Sequence, residues 1–160
     1  MTGPGGIPAP VANVKRVLAA LGAEDTVLVF DSKVPTAAAA AATLGCEVAA
    51  ITNSLVFDVA GVPLLILASG GAKVDTALVA ARLGTGKIRR ASPGFVLEHT
   101  GQEVGGVAPV GHPEKIRTLL DESLKAHNLL WAGAGDHHSM FSITYEDLHR
   151  ITGAEEMPVR

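Results

Sequence analysis

The 160-residue chain is poor in aromatic residues, cysteine and long apolar segments, and each shortage excludes a class of protein. Aromatic residues make up 4% of the chain, so aliphatic residues must build the core. The single cysteine, Cys46, excludes an internal disulfide, and its apolar neighbours favour a buried structural thiol over a nucleophile. No apolar run reaches the ~20 residues that span a bilayer, and Met1–Pro10 lacks the features of a signal peptide. The sequence therefore predicts a protein of the reducing cytoplasm with no membrane partner.

An excess of positive charge is also absent, because the formal net charge is −3. Proteins that coat long stretches of nucleic acid are usually basic, so we expect neither a DNA-binding protein nor a general RNA-binding protein. The net charge is still compatible with an enzyme that binds only the end of a nucleic acid. Apolar residues at 48% and charged residues at 18% predict a folded chain rather than a disordered one.

Apolar periodicity and helix-ending glycines predict one α/β domain over residues 11–160, after a flexible arm over residues 1–10. The predicted helices are Val11–Leu21, Ala37–Leu44 after Pro35-Thr36, Asp75–Gly84, Ser92–Gly101 and Thr144–Gly153, the last opened by a capping box of Thr144 and Asp147. The predicted strands are Thr26–Phe30, Glu47–Ile51, Ser54–Phe57, Pro63–Ala68, Ile116–Leu120, Leu129–Ala132 and Met140–Ile143, with a hairpin turn at Asp58–Gly61. Some predicted strands follow one another directly along the chain and others alternate with helices, an order that favours a mixed sheet.

The stretch Gly105–Pro113 is the most informative segment for function. It reads Gly-Gly-Val-Ala-Pro-Val-Gly-His-Pro, a composition that predicts a shaped loop. Glycines allow a backbone to approach a ligand closely and to aim successive N–H groups at one point. Such a concavity stabilises an oxyanion or a phosphate without a side-chain nucleophile. From composition alone, an ordinary connecting loop is an equally good interpretation.

A second glycine-containing loop, Ser69–Asp75, follows a predicted strand and precedes a predicted helix. This placement resembles a phosphate-binding turn at a helix N-terminus, which makes Ser69, Gly70 and Lys73 candidate substrate-binding residues. The loop lacks the spacing of a P-loop, and the chain contains no Gly-x-Gly-x-x-Gly. For Lys73 taken alone, the alternative interpretation is a solvent-exposed lysine that binds no ligand.

The run Asp136-His137-His138 suggests a metal site, but adjacent side chains on an extended segment point in opposite directions and rarely bind one ion. Neither His-Glu-x-x-His nor a Cys/His cluster is present, so we predict no metal and no other cofactor. The run is expected instead to contribute one histidine or aspartate to a pocket. A Gly-x-Ser-x-Gly elbow is absent as well, which argues against covalent serine catalysis.

Several short stretches follow one another in an order that is typical of a known family. They are Thr52–Phe57, Leu67–Gly70 with Lys73–Asp75, Arg90–Pro93, Thr100–Gly101 with Gly105–His112, Asp121–Leu124, Trp131–Gly135 and Leu148–Gly153. Together they resemble the YbaK-type aminoacyl-tRNA deacylases, free-standing relatives of the editing domain inserted in bacterial prolyl-tRNA synthetases. The resemblance covers nearly the whole chain beyond the N-terminal arm, and its specific part is Gly-Gly-Val-Ala-Pro-Val-Gly-His.

The resemblance implies a single α/β domain around a curved mixed sheet surrounded by helices. It implies hydrolysis of the ester that joins an amino acid to the terminal ribose of tRNA. The Gly-x-x-x-Pro element of the family falls on Gly105 and Pro109, which would line the pocket for the aminoacyl carbonyl. A late histidine of the family matches His138, with His137 as the alternative register.

Around this pocket we expect the backbone N–H groups of Gly105 and Gly106 to hold the developing oxyanion. Val107, His112 and Asp136 are expected to contact the substrate. The implied partner is the acceptor end of a mischarged tRNA, with an aminoacyl-tRNA synthetase as a further candidate.

The sequence departs from the family at Asn53, where many members carry a lysine that is regarded as central to activity. An ammonium offers a full charge to the carbonyl or ribose oxygens, whereas an amide offers only a dipole and two donor hydrogens. Two alternatives to an editing hydrolase therefore stay open. One is a binding module of the same fold that holds tRNA ends or nucleotides without cutting them, and the other is a hydrolase of small acyl esters.

Overall fold

The computed structural model describes residues 7–34, 36–71 and 73–160, which form five helices and eight strands. The helices are α1 (Ala9–Ala20), α2 (Ala37–Leu44), α3 (Thr76–Leu83), α4 (Pro93–Thr100) and α5 (Tyr145–Thr152). The strands are β1 (Leu28–Val29), β2 (Ile51–Val59), β3 (Val62–Ser69), β4 (Arg89–Arg90), β5 (Arg117–Asp121), β6 (Leu130–Gly133), β7 (Ser139–Ile143) and β8 (Glu155–Met157). Most of the predicted flexible arm and Pro35 lie outside the described residues, and α1 begins inside the remainder of that arm.

The helices after α1 begin and end where their capping residues predict. At each N-terminus a side-chain oxygen accepts a hydrogen bond from the backbone N–H three residues further on, which satisfies a donor that the helix leaves free. These capping residues are Thr36, Asp75, Ser92 and Thr144. A left-handed glycine ends each of the same helices, at Gly45, Gly84, Gly101 and Gly153. Only half of the predicted capping box forms, because the Asp147 carboxylate lies against Arg150.

The eight strands form one mixed sheet in the order β1-β7-β6-β2-β3-β5-β8, with β4 paired to β2 beside this path. The predicted hairpin is present, since β2 and β3 are antiparallel and are joined by a two-residue turn at Ala60 and Gly61. Both turn residues have positive φ, at 51° and 88°, as the twist of a tight hairpin requires. The β2–β6, β3–β5 and β5–β8 pairs are parallel, which confirms the predicted mixed sheet.

Helices cover both faces of the sheet. On the α1/α5 face, Val14 and Leu18 of α1 and Leu148 of α5 pack against the strands in the largest apolar cluster. On the α2/α3 face, Ala40 of α2 and Val79 of α3 belong to two smaller clusters. The small alanine side chains bring α2 close to the sheet, as the alanine-rich sequence predicts.

Two strand predictions are wrong. The predicted buried strand Thr26–Phe30 is only the two-residue β1, whose residues are 44% and 55% exposed because β1 lies at the edge of the sheet. The predicted strand Glu47–Ile51 is instead a 3₁₀ turn over Val48–Ala50 that leads into β2. The strands β4 and β8 were not predicted, since two or three largely polar residues carry no apolar alternation.

Candidate active site

The central strand β2 is open along part of one edge. One edge pairs with β3 from Thr52 to Val59. The other edge pairs with β6 only at residues 51 and 52, and with β4 only at residues 57 and 58. Within the described residues, 53–56 therefore have no strand partner on that edge, and all four are half-buried although β2 is central. This opening is the position at which a ligand can reach the middle of the sheet.

Asn53 lies in this opening. Successive side chains of a strand alternate between faces, so Asn53 and Leu55 project on the α2/α3 face. Strand β6 runs parallel to β2 with Thr52 beside Ala132. One residue further along this register, Asn53 comes beside Gly133 at the end of β6.

Gly133 is where the predicted functional loop, here called the glycine loop (Gly105–His112), meets the sheet. A Cβ atom at Gly133 would lie 2.9 Å from the carbonyl oxygen of Val107 and 3.7 Å from that of Gly106. Only a glycine allows the loop backbone to come so close to the strand. Gly133 neighbours Asn53 on the same face, so Asn53 and the start of the glycine loop are both neighbours of Gly133.

Hydrogen bonds from neighbouring elements fix the conformation of the glycine loop. The Gln102 side chain is buried and its Oε1 accepts from the Ala108 N–H at 2.7 Å, while its Nε2 donates to the Val110 carbonyl at 3.4 Å. Asn13 of α1 donates to the Gly111 carbonyl at 2.9 Å. Because these contacts come from outside the loop, its N–H groups are oriented before any ligand arrives.

A tight turn over residues 103–106 opens the glycine loop. The Gly106 N–H donates to the Glu103 carbonyl at 2.9 Å, and Gly105 takes a φ of +87° that favours glycine. The ring of His137 packs on this turn, since a Cβ atom at Gly105 would lie 2.9 Å from its Cε1. His137 Nε2 also lies 3.6 Å from the Glu103 carboxylate. The histidine beside Gly105 is therefore His137, the alternative register of the sequence analysis.

The turn also changes which backbone donors are available. The Gly106 N–H is engaged with Glu103, so it is not the free oxyanion donor that the sequence predicted. The Ala108 N–H is engaged with Gln102. Within the described residues, the N–H groups of Gly105 and Val107 donate to no protein acceptor, and Val107 is 5% exposed. These two groups are the free donors at the start of the glycine loop.

Gly106 instead allows two loops to pack together. A Cβ atom at Gly106 would lie 2.8 Å from Cα of Asp136, in the loop between β6 and β7. The Asp136 carboxylate accepts from the His138 N–H at 2.8 Å and so holds its own turn. The His138 carbonyl accepts from the Phe30 N–H, which ties this loop to the segment after β1. Asp136 and His138 thus lie next to the glycine loop, and the described contacts of both are structural.

Ser69 and Gly70 lie at the end of β3 and are engaged within the protein. The Ser69 hydroxyl donates to the Ala49 carbonyl at 2.7 Å, and its N–H donates to the buried Asp121 carboxylate at 3.0 Å. A Cβ atom at Gly70 would lie 2.8 Å from both Ala37 and the Val48 carbonyl. These contacts explain the residue types by packing alone. Lys73, beyond them, is exposed.

Pro109 and His112 lie at the far end of the glycine loop and line a separate cavity of about 200 Å³. The ring of His112 contacts the Ala108 carbonyl through Nε2 at 2.8 Å. Burial lowers the pKa of His112 below its usual value, against the smaller effect of this hydrogen bond. A larger cavity of about 410 Å³ lies beside Asp121 and the C-terminal residues, and neither cavity is lined by Asn53 or Gly105. The candidate site is the unpaired stretch of β2 over residues 53–56 together with the start of the glycine loop beside Gly133, here called the groove.

No group of three or more His, Cys, Asp or Glu side chains in the described ranges is placed to hold a metal ion. Cys46 is half-buried against α2, and burial raises the pKa of its thiol, which disfavours the nucleophilic thiolate. In the described part of the chain, no helix is long and apolar enough to cross a membrane.

Sequence analysis did not identify Gln102 and Asn13, which orient the glycine loop, or the contact of His137 with Gly105. A buried glutamine that satisfies backbone groups is indistinguishable in sequence from an exposed one. The position of Gln102 directly after the helix-ending Gly101 places it near the loop, and this is the only signal that could have indicated it. The choice between His137 and His138 requires the direction of the backbone between β6 and β7.

Comparisons with known proteins point to one family. Residues 31–151 match the aminoacyl-tRNA editing domain family. The uncharacterized protein YwhH of Bacillus subtilis (strain 168) is 36% identical over 130 residues, which cover 81% of this chain and 82% of YwhH. The proline–tRNA ligase of Lysinibacillus sphaericus (strain C3-41) is 30% identical over 95 residues, 59% of this chain but only 17% of the ligase.

Two solved structures share the whole fold. A crystal structure described as a candidate trans-editing enzyme for prolyl tRNA synthetase superposes with a TM-score of 0.91 at 31% identity, covering 97% of this chain and 99% of the other. The crystal structure of hypothetical protein APE2540 gives a TM-score of 0.85 at 28% identity, covering 92% and 98%. The glycine loop and the opening in β2 both lie inside the matched residues 31–151. The chain belongs to the aminoacyl-tRNA editing domain family.

Proposed function

We propose that this protein hydrolyses, in trans, the ester bond of mischarged aminoacyl-tRNA. The observation that supports this most directly is the position of the glycine loop. Two free backbone N–H groups, of Gly105 and Val107, lie in a loop that adjoins Asn53 at the opening of the central strand. A terminal aminoacylated ribose fits an open groove of this kind, since the rest of the tRNA must stay outside.

The proposed reaction is attack of water on the aminoacyl carbonyl. The ester C–O bond breaks, the carbonyl carbon takes the hydroxyl of water, and the ribose oxygen leaves with a proton. The N–H groups of Gly105 and Val107 stabilise the negative charge that develops on the carbonyl oxygen, and loss of one such donor typically costs a hundredfold or more in rate. The neighbouring ribose hydroxyl of the substrate accepts the proton of the attacking water while it donates its own proton to the leaving ribose oxygen, so no side-chain base is required.

Asn53 has the role of orienting the substrate. From the opening in β2, its amide donates hydrogen bonds to the aminoacyl carbonyl or to a ribose hydroxyl. A neutral donor contributes about 1 kcal/mol less than a charged one, so the Asn53 contact is weaker than that of a lysine. Lys73, exposed on the loop after β3, is free to meet a phosphate of the terminal nucleotides.

The same groove offers a size filter for the amino acid. Leu55 neighbours Asn53 on the α2/α3 face and is half-buried, so it can contact a small apolar side chain. One methylene is worth only ~1–3 kcal/mol in a synthetase pocket, so a second hydrolytic site that admits only the smaller amino acid adds the missing discrimination.

Asn53 also supports a second candidate function, a binding module that holds the aminoacylated end without cutting it. The uncharged amide keeps hydrogen bonding but removes the charge-assisted contact. The two candidate functions use the same groove, and they differ only in the rate at which the bound ester is hydrolysed.

The test is deacylation of a panel of tRNAs, each charged with a wrong amino acid, by the wild-type protein and by Asn53→Lys. We expect the wild type to release one class of small amino acid. Asn53→Lys should release it about fivefold faster, since about 1 kcal/mol of added transition-state binding corresponds to that factor. Scintillation counting of labelled amino acid measures both rates.

Three outcomes separate the candidates. No release by the wild type together with release by Asn53→Lys would favour the binding module. Cleavage of small acyl esters while every tRNA stays charged would replace tRNA editing with a different hydrolase. No hydrolysis of any ester by either protein would contradict the proposed reaction.

A further inference from the structure

A group of exposed cations borders the groove at its end away from β6. The segment 76–97 contains four basic residues and no acidic one, in a chain whose net charge is −3. All four side chains are exposed, and none forms an ion pair within the described residues. The four residues, here called the α3–β4 patch, are Arg82, Lys87, Arg89 and Arg90.

Four other cations of the protein are paired with carboxylates. Lys15 lies 3.1 Å from Asp25, and Arg117 lies 2.7 Å from Glu155. Lys125 and Arg150 are paired in the same way. The α3–β4 patch therefore retains a concentrated positive field that the average composition of the chain does not suggest.

The sheet fixes the patch relative to the groove. Arg90 pairs with Phe57 of β2, so it lies at a position of the α2/α3 face, the face of Asn53. Phe57 is four residues along the strand from Asn53, or about 13 Å. Helix α3, which carries Arg82, packs on this same face through Val79. Arg90, α3 and the groove are thus neighbouring parts of one surface, whereas Arg89, the preceding residue of β4, projects on the opposite face.

The two arginines of β4 differ in their surroundings. Arg89 pairs with Asp58, but the Asp58 carboxylate accepts from the Gly61 N–H at 2.6 Å in the hairpin turn and forms no ion pair with Arg89. No carboxylate lies opposite Arg90. Buried Ile88 anchors the segment just before both arginines, so they project from a fixed backbone. We expect Arg90 to contribute most to binding an anion.

We infer that the α3–β4 patch binds the sugar–phosphate backbone of the acceptor arm whose 3′ end enters the groove. This inference rests on the proposed function, because that function supplies an RNA with its end at Asn53. Guanidinium groups match phosphate oxygens in a bidentate manner. The only aromatic side chain of the segment, Phe95, packs against His99, so the patch offers no stacking platform for bases. The contact is therefore to phosphates and independent of sequence.

The test compares two double variants that remove the same charge. Arg82→Gln with Arg90→Gln, here called the patch variant, removes two cations of the α2/α3 face. Lys15→Gln with Arg150→Gln, here called the control variant, removes one cation each from α1 and α5 on the opposite face. Fluorescence anisotropy measures binding of an acceptor-stem minihelix that carries no amino acid, at several salt concentrations. The patch variant should bind at least tenfold more weakly, and its slope of log K against log salt should be shallower by about 1.5, since each phosphate contact contributes about 0.7–0.9. The control variant should bind like the wild type.

A second substrate separates this inference from the proposed function. Hydrolysis of a 3′-aminoacyl-adenosine, which lacks the acceptor arm, should be equal in the wild type and both variants. Failure of the wild type to hydrolyse any substrate would contradict the proposed function while minihelix binding still tests the patch. The inference is overturned if the wild type does not bind the minihelix or if both variants lose affinity equally. It is also overturned if the patch variant binds the minihelix like the wild type and loses binding only to anionic lipid vesicles.

Discussion

Burial and a backbone carbonyl act in opposite directions on the protonation of His112. Desolvation lowers its pKa below the ordinary value of about 6.5, and the hydrogen bond to Ala108 raises it by less. The folded protein therefore keeps this imidazole neutral at a pH where the unfolded chain already binds a proton. Protonation of the unfolded chain favours unfolding, so His112 makes the folded state less stable as the pH falls below about 6.5.

The lowered pKa of His112 predicts how the stability of the protein depends on pH. The free energy of unfolding of the wild type should fall between pH 7.5 and pH 5, and part of that fall should be absent in His112→Gln. Urea unfolding at several pH values measures the difference between the two proteins. Equal slopes against pH in both proteins would show that His112 does not titrate differently on folding.

At the scale of residues, the sequence shows which functional groups the chain carries, but it does not show which atoms those groups contact. Asn53 could be singled out as an amide in place of a lysine, and the structure places it in the opening of β2. The free donor at Val107 could not be found, because it depends on which neighbouring N–H groups are already engaged. Gly106 illustrates the same point. A side chain at this position would collide with the backbone of Asp136, so glycine is needed for packing rather than for a ligand.

At the scale of elements, the glycine loop depends on Gln102. Gln102→Leu would leave the Ala108 N–H and the Val110 carbonyl without their partner in a buried setting, which costs about 1–3 kcal/mol. We expect a lower melting temperature and faster hydrogen exchange of the Ala108 amide. The matched control is Asn128→Leu, at an exposed position, where the change should stay within about 0.5 kcal/mol. Unchanged protection of Ala108 in Gln102→Leu would contradict the role given to Gln102.

The helices were predictable because their signals are local. Each of the caps Thr36, Asp75, Ser92 and Thr144 satisfies a donor within three residues of itself. The short strands were not predictable because their stability comes from the sheet rather than from their own residues. β4 exists because β2 offers an unpaired edge beyond the end of β6, a fact that no local pattern contains.

At the scale of the whole molecule, the start of the glycine loop, the opening of β2 and Arg90 of the α3–β4 patch lie on one side of a single mixed sheet. The order of short stretches along the chain was sufficient to predict the family and the sheet class. The sequence could not show that β6 ends early and β4 begins late along the same edge of β2, and this interruption creates the groove.

The account therefore depends on the backbone of the glycine loop, and two glycines with the same backbone conformation allow a direct test. Gly105 has φ +87° and a Cβ atom there would meet His137, whereas Gly61 has φ +88° and a Cβ atom there would meet nothing within 4 Å. Gly105→Ala and Gly61→Ala carry similar backbone strain, about 1–2 kcal/mol, and Gly105→Ala adds a close contact with His137. The stability of Gly105→Ala should therefore fall at least as far as that of Gly61→Ala, and both rates are measured where each protein is folded.

The deciding measurement is single-turnover deacylation of a mischarged tRNA by the wild type, Gly105→Ala and Gly61→Ala. We predict that Gly105→Ala lowers the rate by about a hundredfold, as expected for a displaced oxyanion donor, while Gly61→Ala retains the wild-type rate. Equal rates in the two variants would contradict the central claim that the glycine loop holds the reacting carbonyl.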